Sequence, residues 1–287
     1  MQTENAPRPI PISQLLSQTQ LGEDGIYGYV FTNIEQSMEI DLREKVATAS
    51  YDNPIEKIAT HHSVPVMDFE VARFLHQIPS GGRIIDVGSC WGWHWRKLQQ
   101  IRPDVQVFIV DFVRANVLHA KALLGESINR LIFLIHGDAT DLKFLDESFD
   151  GYWSVQALQH VVCFETALNE ARRVLKRGGV FANYSLNDGA AIRWLYRIVG
   201  RRYVKQGWVE GSYWLARASG EQKQMLESIF ATKVHERLSE ILYKPELRAS
   251  FPGKKDSWLG RLDALLSNDL GYLGFLARQR SFHCRKQ

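Results

Sequence analysis

Between residues 83 and 186 the chain alternates short β-branched apolar runs with segments of helical period, and few folds accept that alternation. The runs are Arg83-Ile-Ile-Asp-Val, Gln106-Val-Phe-Ile-Val-Asp111, Leu131-Ile-Phe-Leu-Ile, Gly151-Tyr-Trp-Ser-Val and Val180-Phe-Ala-Asn-Tyr. Segments 92–101, 114–125 and 164–176 between them have the spacing of helices. Strands apolar on both sides, joined through helices, predict an α/β fold whose parallel sheet is covered on both faces, with right-handed crossovers.

The flanks are less regular. Residues 1 to 45 read as a loose arm with prolines at 7, 9 and 11, and residues 46–80 as two helical pieces. In the second piece Val66, Phe69, Val71, Phe74, Leu75 and Ile78 fall mostly on one face, and Pro79-Ser-Gly-Gly stops it. Beyond residue 186, segments 189–205 and 221–230 read as helices, 232–238 as a strand, and Tyr272–Arg278 as a final edge strand. The divisions expected are an arm and helical lid (1–80), a core (81–188), a cap or substrate region with part of the sheet (189–270), and a last strand with its tail (271–287).

Composition narrows the function classes. Lys and Arg number 35 against 32 Asp and Glu, too balanced for the concentrated basic footprint of a nucleic-acid binder. No apolar run approaches the roughly 20 residues of a membrane span, and the polar, proline-rich start lacks the pattern of a signal peptide. Cys90, Cys163 and Cys284 form neither a disulfide framework nor a zinc pattern, and no His-Glu-x-x-His occurs, so no metal is expected. A cytoplasmic protein is the simplest reading.

The chemistry concentrates at strand ends. After Ile84-Ile-Asp-Val, glycines at 88 and 92 bracket a turn beyond the carboxyl end of a strand, where open parallel sheets bind ligands. Gly88 permits a tight turn and close backbone approach, and Gly92 lets the next helix pack close and offer its free amides. Asp111 closes the second strand at the spacing where a carboxylate meets ribose hydroxyls, although a helix-capping role fits the same position. In Gly137-Asp138-Ala139, Asp138 suits an adenine amino group and Ala139 offers an amide; an ordinary turn reads the same way.

Taken in order, Asp86-Val-Gly-x-x-x-Gly, Asp111, Gly137-Asp-Ala, Phe149-Asp-Gly-Tyr-Trp-Ser-Val-Gln-Ala-Leu-Gln-His160 and Glu170-Ala-Arg-Arg-Val-Leu-Lys-Arg-Gly-Gly179 resemble the class I S-adenosylmethionine-dependent methyltransferases that modify small molecules. The resemblance covers about residues 83–186. It implies a Rossmann-like, doubly wound, seven-stranded and mostly parallel sheet, its reversed seventh strand supplied by Leu273–Arg278, with an N-terminal helical lid and a C-terminal cap. It implies S-adenosylmethionine as cofactor: Asp86 toward the amino group, Gly88 and Gly92 flanking the methionine part, Asp111 on the ribose, and Asp138 and Ala139 on the adenine. Ser154 and Gln156 would stand beside it, and Ser89, Cys90, Trp91 and Phe112 join the contacting set. Many members carry Gly-x-Gly-x-Gly in the first loop, whereas Cys90 takes the middle position here, among Trp91, Trp93, His94 and Trp95. These tryptophans read either as a face for the sulfonium or as core.

Methyl transfer needs alignment of the acceptor and exclusion of water, and a general base only for acceptors that shed a proton early. His160 at the end of the fourth strand and His62 in the lid are the candidates, each equally readable as a packing or surface residue. In the cap, Arg193, Arg197 and Arg201 recur on one helical face beside Arg202 and Lys205, facing an anionic substrate, a membrane surface or plain solvent. Trp194, Tyr196, Trp208, Tyr213 and Trp214 line an acceptor pocket or form the cap's own core. The acceptor expected is a hydroxyl or amine of a metabolite, sugar or natural product. The rival readings are a non-catalytic cofactor-binding scaffold and a nicotinamide oxidoreductase. The latter lacks its Gly-x-Gly-x-x-Gly and Tyr-x-x-x-Lys here.

Overall fold

The computed structural model describes residues 10–30, 44, 53–89, 91–200, 203, 221–245, 254–266 and 271–287. Tyr51 and Asp52 of the lid, Cys90 of the first loop, and Arg201, Arg202, Lys205, Trp208, Tyr213 and Trp214 of the cap lie outside these residues.

The described strands are β1 (Gln20–Leu21), β2 (Tyr27–Gly28), β3 (Arg83–Val87), β4 (Gln106–Asp111), β5 (Ile132–His136), β6 (Phe149–Val155), β7 (Leu175–Leu186), β8 (His235–Ser239) and β9 (Gln279–Arg285). The helices are α1 (Ile12–Leu15), α2 (Pro54–Ile58), α3 (Val64–Leu75), α4 (Leu98–Ile101), α5 (Arg114–Leu124), α6 (Phe164–Val174), α7 (Ala190–Ile198), α8 (Gln222–Phe230) and α9 (Trp258–Leu266). All nine strands form one sheet in the order β1-β2-β5-β4-β3-β6-β7-β9-β8. From β2 through β7 the pairings are parallel, and β9 runs antiparallel to both its neighbours.

Alternation along the strands explains why the sheet has two cores. Ile85, Val87, Phe108, Val110, Phe133 and Ile135 face one side, with α6 and α8 over them. Ile84, Val107, Ile109, Ile132, Leu134 and Trp153 face the other, beneath α3 and α5. Successive side chains of a strand point to opposite faces, so a run apolar at every position demands cover on both. On α6, Phe164, Ala167, Leu168, Ala171 and Val174 give the helical stripe that meets this demand.

Three details differ from the sequence reading. The sheet has nine strands rather than seven, because the N-terminal arm contributes the hairpin β1–β2 beside β5. The last strand is Gln279–Arg285, not Tyr272–Arg278, and it lies inside the sheet with β8 at the edge. Gly271–Leu276 winds as a 3₁₀ turn, and a Cβ at Gly274 would come 2.4 Å from Leu238 Cδ1, so glycine there lets the turn press on β8. Finally, residues 92–101 are not one helix: Trp93–Trp95 is a 3₁₀ turn and only Leu98–Ile101 is helical. Trp93, His94 and Trp95 are all buried, and no helical face can bury three consecutive residues.

Candidate functional site

Strand order reverses between β3 and β6, and the side chains singled out above gather beyond the carboxyl ends of β3, β4, β5 and β6. Asp86 stands opposite Ile109 and Trp153 in the ladder and is wholly buried. Its Oδ2 accepts a 2.6 Å hydrogen bond from the Trp95 indole, while Oδ1 has no partner among the described residues. Burial holds the Asp86 carboxyl well above the usual carboxylate range; the Trp95 N–H opposes the shift and the nearby charge of Asp111 adds to it. A buried acceptor without a donor costs about 1–3 kcal/mol, so this oxygen is suited to a cation or donor arriving from outside.

The loop after β3 is shaped by two left-handed glycines, Gly88 at φ 71° and Gly92 at φ 64°. A Cβ on Gly88 would lie 2.2 Å from that of Ala157, so here glycine lets the β3 and β6 tips touch. A Cβ on Gly92 would meet Leu124 of α5 and Ile109 of β4 within 3 Å. The glycine therefore admits α5 to the loop rather than the helix that follows it. Ser89 is buried with its hydroxyl unpartnered among the described residues. Trp91 packs against His119 with ring centroids 4.9 Å apart and planes tilted by 42°, whereas Trp93 and Trp95 are core, 1% exposed. Burial, with the charges of His62 and Arg96, keeps the His94 imidazole neutral well below its ordinary range.

Asp111 ends β4, and its Oδ1 accepts from the Val113 amide at 2.9 Å, with the Asn116 amide 3.4 Å from both oxygens. It thus caps the approach to α5 from the carboxyl edge of the sheet. Phe112 is half-buried, its carbonyl 3.1 Å from His136 Nε2. Asp138 Oδ1 accepts from Thr140 N at 2.9 Å, and Ala139 is buried beside it. Sequence reasoning missed the residue that holds this loop. Tyr29, just past β2, accepts from the Asp138 amide at 2.9 Å and donates to the Asp141 carbonyl at 2.7 Å. Its ring fills the space a Cβ on Gly137 would need. Only the tyrosine's place 109 residues upstream conceals it. A cavity of about 490 Å³ opens alongside, lined in part by Gln20, Gly28, Tyr29 and Arg114.

On β6, Ser154 Oγ donates to the Val87 carbonyl at 2.9 Å and so ties two strands together. Gln156 follows with φ 52°, a left-handed conformation that a non-glycine residue adopts at a cost, and its amide nitrogen lies 3.5 Å from Gln279 Oε1. His160 is half-buried in the next 3₁₀ turn, its Nε2 3.4 Å from Gln159 Nε2. His62, before α3, packs on Trp93 with ring centroids 5.7 Å apart. The neighbouring backbone is anchored by a buried pair: Glu240 accepts from the Ser63 amide at 3.0 Å and from Arg278 at 2.6 Å, and Arg278 also donates to the His61 carbonyl.

The order of the seven strands from β5 to β8, with β9 reversed, defines a Rossmann-like fold. Residues 85–183 match the family described as Methyltransferase domain. The malonyl-[acyl-carrier protein] O-methyltransferase of Buchnera aphidicola is 25% identical over 201 residues, 69% of this chain and 74% of that protein. The mitochondrial 2-methoxy-6-polyprenyl-1,4-benzoquinol methylase of Oryza sativa is 36% identical over 88 residues, only 29% of this chain and 30% of that one. Among solved structures, the complex of the Haloferax volcanii Trm112 methyltransferase activator with a methyltransferase has a TM-score of 0.54 at 19% identity, covering 90% of this chain and 99% of that one. Over residues 85–183 the chain thus carries a methyltransferase domain; its activity is S-adenosylmethionine-dependent methyl transfer, and S-adenosylmethionine is its cofactor.

Proposed function

We propose that the enzyme transfers a methyl group to an oxygen or nitrogen atom of a small-molecule acceptor, with the tips of β3 to β6 holding the cofactor. One observation carries the assignment: Asp86, Asp111 and Asp138, all buried, end or follow three adjacent parallel strands, and Asp86 keeps one oxygen without a partner among the described residues. The residues fit the group. A buried carboxylate suits an ammonium, Asp111 suits a vicinal diol, and the Asp138–Ala139 loop suits an adenine edge. Gly88, Ser89, Trp91 and Gly92 supply the loop against the methionine part, and Phe112, Ser154 and Gln156 flank it.

Bound S-adenosylmethionine supplies an electrophilic methyl on a cationic sulfur. What remains for the protein is to align the acceptor and exclude water. His160 and His62 are the candidates to take a proton from a hydroxyl acceptor. The acceptors named for the two relatives, malonyl-[acyl-carrier protein] and a polyprenyl benzoquinol, support a small or lipid-like acceptor group over a nucleic acid. Three widely separated cysteines without a disulfide or zinc spacing support a reducing, cytoplasmic setting.

The test is titration calorimetry with S-adenosylmethionine and S-adenosylhomocysteine, with NAD(P) as control, followed by transfer of labelled methyl to a panel of acceptors. Binding of the first two alone, with label in a hydroxyl or amine product, is the expected result. Tight cofactor binding with no transfer to any small acceptor would reduce the chain to a binding scaffold.

A further inference from the structure

The helix α7 leaves β7 three residues past its end, on the same edge of the sheet where the parallel strands terminate. Its inner face is fixed: Ile192 and Tyr196 are wholly buried, and Tyr203 donates to the carbonyls of Asn187 and Arg278 at the helix base. Its outer surface divides lengthwise. Arg193 and Arg197 form one stripe at helical spacing, and Trp194 and Ile198 form the next. Trp194 is 65% exposed and Ile198 59%, with Val199 beyond them at 49%. Phe275, on the 3₁₀ turn against which α7 packs, is 56% exposed. Single exposed apolar side chains are ordinary, but four on one helix and its supporting turn mark a contact surface.

The chemistry of the stripes selects the partner. A tryptophan and branched apolar groups flanked by arginines is the make-up of a helix lying at the headgroup level of a bilayer, where rings and alkyl groups enter the acyl boundary and guanidinium groups meet phosphates. Asp188 pairs with Arg193 at 3.3 Å, so among the described residues the attraction rests chiefly on Arg197. A second copy of the chain fits poorly, because a two-fold contact through α7 would set the arginine stripe against itself. We propose that α7 docks the enzyme on an anionic lipid surface, its ligand edge toward the bilayer. That an acceptor of lipid class would then enter from the membrane rests on the function proposed above; the docking itself does not.

The experiment is co-flotation of the full chain with phosphatidylcholine vesicles, with and without phosphatidylglycerol, alongside calorimetry with S-adenosylhomocysteine. The proposal expects binding only to the anionic vesicles, weakened by salt. The double variant Trp194→Ala, Ile198→Ala should lower the partition by about tenfold or more, and Arg197→Ala by about fivefold, each with unchanged affinity for S-adenosylhomocysteine. No binding to anionic vesicles, equal binding to neutral ones, or binding indifferent to Trp194 would each overturn it. So would self-association by light scattering that disappears with Trp194. Vesicle binding that survives while S-adenosylhomocysteine fails to bind would sink the function proposed above and leave this surface standing.

Discussion

Burial pushes the Asp86 carboxyl well above the usual carboxylate range, and a carboxyl must be ionised to pair with a cation; together these give it a proton-linked role. Its pKa in the free protein lies above the ordinary carboxylate range, so a cation beside it must displace the proton. Cofactor binding should therefore release protons, and affinity should rise with pH up to the free-protein pKa. Calorimetry in buffers of different ionisation enthalpy reads this directly. In Asp86→Asn the Asp86 share of the slope should vanish and affinity fall more than tenfold, ~1.4 kcal/mol or more. The thermal midpoint of the free variant should not fall, because the amide oxygen still accepts from Trp95 and no charge has to be buried. A variant that melts early yet binds normally would make Asp86 a purely structural residue. For Tyr29→Phe, the loop at Asp138 loses a donor and an acceptor 109 residues away in sequence, and cofactor affinity should weaken with kcat less affected. Unchanged affinity would mean that the packing of the ring alone holds the loop.

Among the elements, the turn after β3 and the start of β7 show two uses of glycine. Gly88→Ala meets both a left-handed φ and an Ala157 methyl at 2.2 Å and should cost about 2 kcal/mol or more, whereas Gly178→Ala, at φ 76° with nothing within 4 Å, should cost only the ~1 kcal/mol of backbone strain. Denaturant unfolding of the two variants compares them, and equal losses would remove the steric argument at Gly88. The five central strands were legible in the sequence because each is apolar on both faces. The places of Asp86, Asp111 and Asp138 at strand ends followed from them. The segments that were not legible lack that signal for physical reasons. Strand β9 buries Gln279 and Ser281 through partners on both sides, so its sequence reads as polar. The turn at Trp93–Trp95 buries three residues in a row, which matches no period. Tyr29 acts through two hydrogen bonds that no local pattern announces.

At the level of the whole chain, the buried pair of Glu240 and Arg278 binds the base of α3 to β9 and to the turn after β8. Breaking one side of such a pair leaves a buried charge, so Glu240→Gln should cost about 3–5 kcal/mol, read by denaturant melts. Within β9, His283 has its pKa pushed down to about 3 by burial and by the charges of Arg73 and His235. In the unfolded chain a histidine titrates near 6.5, so the unfolded state takes up the proton first and stability drains as pH falls from about 6.5 toward 3. Replacing His283 with Gln should flatten the dependence of the melting temperature on pH between 7 and 5. A slope as steep as that of the parent chain would acquit this residue. The position of β9 has one more consequence, in the order of assembly. It is threaded between β7 and β8 although both precede it in the chain. During synthesis β1 to β7 can pair with one another, but the open edge of β7 must wait, with its amides and carbonyls unspoken for, until β9 emerges. The enzyme's most exposed moment is thus its own translation, and whatever shields that edge in the meantime governs how much of it reaches the folded state.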